Sequence, residues 1–298
     1  MARHRPHVPS RRGRERRPGG PGSPGGPSGP GSPGGAVRAA EGVLFGINAV
    51  EAALRARRRT LRGLHVKAGP PSPKLALLRE LAAEQQLSVQ EQPAAELDVL
   101  CLGGHHQGVA LRCGPLPLLD DRSALAHGAW QPGTPGTPPL LVALDQVEDP
   151  RNLGAVVRSA AAFGAAGLVV PRDHSAPLSA VASSASAGAL ERFPVHEVAN
   201  LARFCEQARQ QGFWVVGSSA EGDTPLHRYV HDRPLVLVLG NEGRGLRPLV
   251  ARACDQHLTI PLPGGAAVGG AAVGGGVAGS LNVSAAAAVL LYHLLGRG

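Results

Sequence analysis

Residues 235–246 read LVLVLGNEGRGL: five consecutive apolar residues run straight into a glycine-rich turn that carries a single acid, Glu242. An apolar run of this length, bounded by Pro234 and Gly240, predicts a strand buried on both faces, as in a parallel sheet, rather than a half-exposed strand of alternating character. In open α/β sheets ligands bind outside the carboxyl ends of the strands, and glycine there permits positive φ and close approach of the backbone to a ligand. A tight strand-to-helix turn with no ligand has the same Gly-x-x-Gly pattern, so this stretch decides the fold class and leaves the chemistry open.

The same pattern extends in both directions from it. Strand-like runs at 140–144, 167–170, 213–217, 235–239 and 257–260 alternate with a helix from Asn152 and a small-residue helix near 178–190, which predicts a doubly wound α/β domain over 140–298. The last helix, 283–295, is apolar on nearly every face and is expected to lie in the core or against another subunit. Upstream, residues 42–115 read as a small α/β domain with helices near 47–58 and 74–86, a strand near 64–66 and short strands to Leu111. Between the two domains, 116–139 has the Pro- and Gly-rich composition of a linker.

Residues 1–41 form a tail of Gly-Ser-Pro-Gly-Gly units that holds too little apolar surface to offset chain entropy, so disorder is expected. The formal charge of the chain is +8, but eight Arg and one Glu in residues 1–40 account for most of it. The basicity is therefore local and gives no general argument for nucleic acid. Without an apolar signal core secretion is not expected, and the Arg-rich, acid-poor tail reads as a mitochondrial transit segment ahead of a plain basic RNA-binding tail, although its Pro and Gly oppose the amphipathic helix that transit peptides form. No apolar run reaches the roughly 18–20 residues of a membrane span, so a soluble protein is expected. Cys101, Cys113, Cys205 and Cys254 have neither C-x-x-C spacing nor a His partner at zinc-site spacing, which argues for four reduced thiols and no metal.

Arg55, Arg57, Arg58, Arg59 and Arg62 crowd the end of the first helix, where they are placed either to neutralise RNA phosphates or to complement the helix dipole in solvent. Residues 149–164, DPRNLGAVVRSAAAFG, open a helix: Asp149 or Asn152 caps it, Pro150 stands in the first turn, and Leu153, Val156, Val157, Ala160, Ala161 and Gly164 recur on one face. Arg158 lies roughly 140° from Leu153 around that helix, off the packed face.

Taken in order, DPRNLGAVVRSAAAFG, LVLVLGNEGRGL and SLNVS (280–284) resemble the signature motifs of the SpoU/TrmH group of RNA 2′-O-ribose methyltransferases in the SPOUT superfamily. GVLFGINAVEAAL (42–54) and GHHQGVAL (104–111) resemble the ribosomal-protein-like substrate-binding domain that precedes the catalytic domain in that group, and the overall likeness is strongest to large-subunit rRNA guanosine-2′-O-methyltransferases of bacteria and mitochondria. The resemblance implies a deep C-terminal knot that holds S-adenosylmethionine and a homodimer whose interface completes the site. It also implies that Asn152, Arg158, Glu242, Ser280 and Asn282 surround the reacting ribose, and that Gly240, Ile260, Leu262 and Leu281 line the cofactor pocket. His105, His106 and Gln107 lack an acidic or Cys companion and read as structural or RNA-contacting, not as metal ligands. One departure stands out: residues 263–279, PGGAAVGGAAVGGGVAG, interrupt the third motif where the family has a handful of residues.

Three functions follow from these readings. The first is methylation of a guanosine ribose in rRNA. The second is the same reaction on tRNA, against which the additional N-terminal domain argues. The third is an RNA-binding ribosome-assembly factor whose catalysis the insert has impaired. A dinucleotide oxidoreductase is disfavoured, since no G-x-G-x-x-G follows the first strand of the larger domain.

Overall fold

The computed structural model describes residues 42–126, 138–262 and 281–296. The tail 1–41, residues 127–137 of the expected linker, the segment 263–279 and Ser280 lie outside the described residues, and so does the part of the expected knot that they would form.

The first sheet is built from β1 (Gly42–Phe45), α1 (Ile47–Ala56), β2 (Leu61–Lys67), α2 (Pro73–Ala83), β3 (Ser88–Gln92), α3 (Ala94–Leu100) and β4 (Val109–Cys113), in the strand order β1-β4-β2-β3. Leu44, Leu64, Val66, Val109 and Leu111 pack with Val50, Leu54 and Leu78 of α1 and α2, while Leu97 of α3 and Cys101 close on Phe45 and Ala110. The GHHQG segment is used internally. Gln107 Oε1 accepts from the Ile47 amide at the start of α1 (2.9 Å), and His106 bonds to Asp98 (3.0 Å) and to the Gly108 amide (3.0 Å).

The larger domain runs α4 (Asp121–Ala126), β5 (Leu140–Leu144), α5 (Pro150–Ala162), β6 (Gly167–Pro171), α6 (Ala180–Ala185), β7 (Val195–Val198), α7 (Leu201–Gln210), β8 (Trp214–Ser218), β9 (Thr224–Pro225), β10 (Leu235–Leu239), α8 (Pro248–Ala253), β11 (Gln256–Thr259) and α9 (Val283–Leu295). Its sheet has the order β7-β6-β5-β10-β8-β11-β9 with every pairing parallel. β10 is central, and both its faces are covered: Leu235, Leu237 and Leu239 meet residues of α5 and α9, whereas Val236 and Val238 meet residues of α7 and α8. This two-sided cover is why the run is apolar throughout. Truncating a residue such as Leu237 to Ala would cost about 2–5 kcal/mol.

Several expectations are corrected. Part of the supposed linker is structured: the Leu119 amide donates to Val195 O (2.9 Å), the Glu197 amide donates to Leu119 O (2.9 Å), and α4 buries Ala124 and Leu125. Pro and Gly composition described the neighbouring residues and hid this edge. β7 (VHEV) and α7 lie in a stretch that the apolar pattern left without elements. A buried His196 interrupts the strand's apolar character, with its Nδ1 3.1 Å from Asp120 O, and Asn200 caps α7 by accepting from the Arg203 amide (3.0 Å). The expected helix near 178–190 divides into α6 and a 3-10 turn, Ala189–Glu191, because Ala187 and Gly188 both take positive φ. Ala161 on α5 and Gly164 just beyond it are exposed, whereas Ala160 is buried as expected and so is Gly154, where a Cβ would collide with the Ala182 carbonyl of α6.

The arginines at and beyond the end of α1 are mostly committed to protein contacts. Arg55 pairs with Glu51 (2.9 Å). Arg58 donates to Phe193 O (2.8 Å), and burial lowers its pKa while Glu191 opposes that shift. Arg59 is buried against Glu191 in two bonds of 2.6 and 2.9 Å and also donates to Gly114 O (3.2 Å). Gly188 stands where a Cβ would strike Asn48 O and Ala52 of α1. The two domains are thus joined along α1 by close packing and buried charge.

Candidate active site

The parallel sheet brings the carboxyl ends of its strands to one edge. From β5 the chain steps outward through β6 and β7, then resumes beyond β10, so β5 and β10 flank a topological switch point. The loops that follow these two strands, 145–149 and 240–247, are the ones bonded to each other.

Asp149 starts α5 by accepting from the Arg151 amide (2.8 Å), with Pro150 in the first turn. Asn152 thereby stands in the first turn, next to the end of β10. Its Nδ2 donates to Glu242 Oε1 at 2.5 Å, a short charge-assisted bond. Asn282 caps α9 by accepting from the Ser284 amide (2.9 Å) and hydroxyl (2.6 Å). Its Nδ2 donates to Asn152 Oδ1 (3.1 Å) and, more weakly, to Glu242 Oε1 (3.4 Å). Three residues from three distant segments therefore form one hydrogen-bonded cluster, in which Glu242 is the common acceptor. Asn282 is spent on cap and cluster. Glu242 Oε2 and the second amide hydrogen of Asn152 carry no bond to a described residue and are the groups that the cluster has left to offer.

Arg158 is exposed on α5, off its packed face. It joins no hydrogen bond within the cluster. Ser280 lies outside the described residues. Of the residues assigned to the cofactor, Gly240 ends β10, Ile260 follows β11 and packs against the core, Leu262 lies two residues further, and Leu281 leads into α9; all four are partly buried. Gly240 is required by the turn itself, since a Cβ there would come within 2.5 Å of Gly245. The turn closes through the Asn241 and Gly245 backbones (2.9 and 3.1 Å) and through Asn241 Oδ1, which accepts from the Gly243 (2.9 Å) and Arg244 (3.2 Å) amides. Half-covered apolar side chains beside strand-end backbone suit a flat, weakly polar ligand group better than they suit a phosphate.

Sequence reasoning overlooked Asp145, Gln146, Asn241 and Arg247, which tie the two loops together. The Asn241 Nδ2 donates to Gln146 O (3.1 Å), and Gln146 takes a positive φ of 59°. Asp145 is fully buried beside Arg247. An acid that directly follows an all-apolar strand was the available signal. Burial pushes the thiols of Cys113 and Cys254 up to about 11 and about 12, which leaves them unreactive at neutral pH. Among the described residues no group of His, Cys, Asp and Glu is arranged to hold a metal ion, and no helix is long and apolar enough to cross a membrane.

The two-domain architecture is that of RNA ribose methyltransferases: the family model for RNA 2′-O ribose methyltransferase substrate binding matches residues 43–119, and that of the SpoU rRNA methylase family matches 139–292. The chain belongs to the SpoU rRNA methylase family. It is 36% identical over 257 residues to the 23S rRNA (guanosine-2′-O-)-methyltransferase RlmB of Pseudomonas aeruginosa, covering 85% of this chain and 95% of that one. It is 42% identical over 210 residues to an uncharacterized tRNA/rRNA methyltransferase of Mycobacterium avium, covering 70% of this chain and 62% of the relative. The fold is similar to that of the SpoU methyltransferase AviRb from Streptomyces viridochromogenes (24% identity, TM-score 0.66, 86% and 89% of the two chains), which has also been solved with its cofactor AdoMet. It is likewise similar to an rRNA methyltransferase from Sinorhizobium meliloti (23%, TM-score 0.66, 86% of each chain).

Proposed function

We propose that this protein transfers a methyl group from S-adenosylmethionine to the 2′-oxygen of a guanosine in large-subunit rRNA, acting as a homodimer in the mitochondrial matrix. The carrying observation is the convergence of Asn152, Asn282 and Glu242 at the switch-point end of the sheet. The name of the Pseudomonas relative supports the substrate, and the AdoMet-bound AviRb structure supports the cofactor. The Arg-rich tail supports the location.

S-adenosylmethionine, held by Gly240, Ile260, Leu262 and Leu281, would supply a methyl group already activated as a sulfonium, so the ribose 2′-oxygen need only be aligned and relieved of its proton. The protein's share is mainly alignment. Glu242, already accepting two amides, acts as an orienting acceptor rather than as the base. Asn152 retains one N–H for a ribose oxygen. Arg158, permanently charged, holds the neighbouring phosphate and stabilises alkoxide character while phosphate or solvent accepts the proton. Ser280 is assigned to the same ribose side, and Gly240, Ile260, Leu262 and Leu281 to the cofactor.

The test is incubation of the purified chain with methyl-labelled S-adenosylmethionine and either deproteinised large-subunit rRNA or total tRNA. Label recovered as 2′-O-methylguanosine at one rRNA site is expected. Label in tRNA would replace the substrate assignment, and cofactor binding without transfer to any RNA would favour the assembly-factor reading.

A further inference from the structure

The turn that carries Glu242 is closed by bonds within itself, and where it stands over the β5 loop is set by bonds across the switch point: Asn241 Nδ2 to Gln146 O (3.1 Å) at its start and Arg247 to Asp145 at its far end. Asp145 makes the charged one. It occupies the carboxyl end of β5 with no exposed surface, and its amide is spent on Leu239 O (2.8 Å). Both of its carboxylate oxygens are taken by a single residue on the far side of the turn: the Arg247 amide donates to Oδ2 (2.7 Å) and Arg247 Nε donates to Oδ1 (2.6 Å). Arg247 is also the residue from which α8 departs. The six residues 241–246 are thereby held at both ends, by Gly240 leaving β10 and by Arg247 clamped to β5.

A buried ion pair seldom outperforms apolar packing as a source of stability. What two directional charge-assisted bonds to one guanidinium and its own amide add is orientation, which a Leu or Met in either place would not give. Asp145 and Asn152 belong to one loop-helix unit, and Glu242 and Arg247 to one turn. The Asp145–Arg247 clasp therefore sets the distance at which Glu242 meets Asn152 across the switch point. We infer that Asp145 and Arg247 are positioning residues for methyl transfer, acting through Glu242; the inference rests on the function proposed above.

The test combines Asp145→Asn with Glu242→Gln. Asp145→Asn preserves size but removes the charge and one acceptor, and it is expected to lower kcat at least tenfold with KM for RNA unchanged within twofold. In the Glu242→Gln background the same substitution is expected to change kcat by less than twofold. Equal losses in both backgrounds would reduce the pair to general stability and overturn the inference. A second readout does not need activity: in a 15N-labelled sample the side-chain amide signals of Asn152 and Asn282 should shift in Asp145→Asn in the same direction as in Glu242→Gln. If the wild type methylated no RNA, the proposed function would fail while these shifts still decided the positioning claim, and unchanged shifts would overturn it. Should Asp145→Asn not fold, Arg247→Lys, which keeps the charge and the backbone bond but loses the Nε donor, takes its place with the same expectations.

Discussion

Arg59 and Glu191, 132 residues apart, meet in two bonds of 2.6 and 2.9 Å with their side chains 5% and 1% exposed, and the Ser183 hydroxyl also donates to Glu191. One residue follows α1 of the small domain and the other lies on the 3-10 turn of the large one, so this pair ties the two domains together through a buried charge. Removing one partner strands a buried charge. Arg59→Met or Glu191→Leu alone is expected to lower stability by about 3–5 kcal/mol, and the double variant by much less than the sum, because the second change relieves the first. Urea denaturation of the four proteins measures this, and strict additivity would remove the coupling.

On the ribose side, Arg158→Ala is expected to abolish methyl transfer while S-adenosylmethionine affinity changes by less than about threefold. Arg158 is exposed on α5 and outside the cluster's bonds, so its loss leaves the loop geometry intact. Calorimetric titration of the cofactor beside a single-turnover assay separates the two quantities. A parallel loss of cofactor affinity would reassign Arg158.

How much of this was legible in the chain depends on the range of the interaction. The buried strands and the helix opened by Asp149 are local patterns of polarity and capping, and they read directly. Asn152, Glu242 and Asn282 were marked by motif resemblance, but their mutual bonds span 90, 130 and 40 residues, and no periodicity encodes such contacts. The arginine cluster was ambiguous for the same reason: a run of cations looks alike whether it faces RNA, solvent or, as with Arg58 and Arg59, a neighbouring domain. Asp145 was hidden because a charge at a strand end is ordinarily solvated, and only the fold reveals that Arg247 covers it.

His65 gives the small domain a pH dependence. Burial first, then the nearby charge of Arg112, lowers its pKa below the ordinary 6.5, while a bond to Gln92 opposes the shift. The folded state thus binds fewer protons than the unfolded chain in the window below 6.5. The stabilisation is fully present above that value and is lost as pH falls toward the depressed folded pKa. Urea midpoints at pH 7.5 and 5.5 should fall more for the wild type than for His65→Gln. Equal falls would exclude His65 as the source.

Residues 264–279, GGAAVGGAAVGGGVAG, contain no acid, base or aromatic side chain. The entropy of closing a chain segment grows only slowly with its length, so the extra residues need not cost much. Replacing them with a short loop is therefore expected to retain or raise methyl transfer, measured as kcat on the rRNA substrate. A folded but inactive short-loop variant would show that the segment contributes to the site.

The quaternary prediction rests on α9. Val283, Ala287, Leu290, Leu291 and Leu294 are buried within the subunit, so one side of this apolar helix is taken up by its own core. The opposite side carries Ala285, Val289 and Tyr292 at i, i+4 and i+7, with Val289 41% and Tyr292 58% exposed and Phe163 edge-on to the Tyr292 ring at 6.1 Å. An apolar stripe of this kind on a helix that begins at Asn282, inside the site cluster, is suited to two-fold self-association that brings a second copy close to the reacting groups. Sedimentation at micromolar concentration should give a dimer. Val289→Arg combined with Tyr292→Arg should give a folded monomer with methyl transfer reduced at least tenfold. Full activity in that monomer would confine the site to one subunit, and a wild type that sedimented as a monomer would remove the dimer altogether.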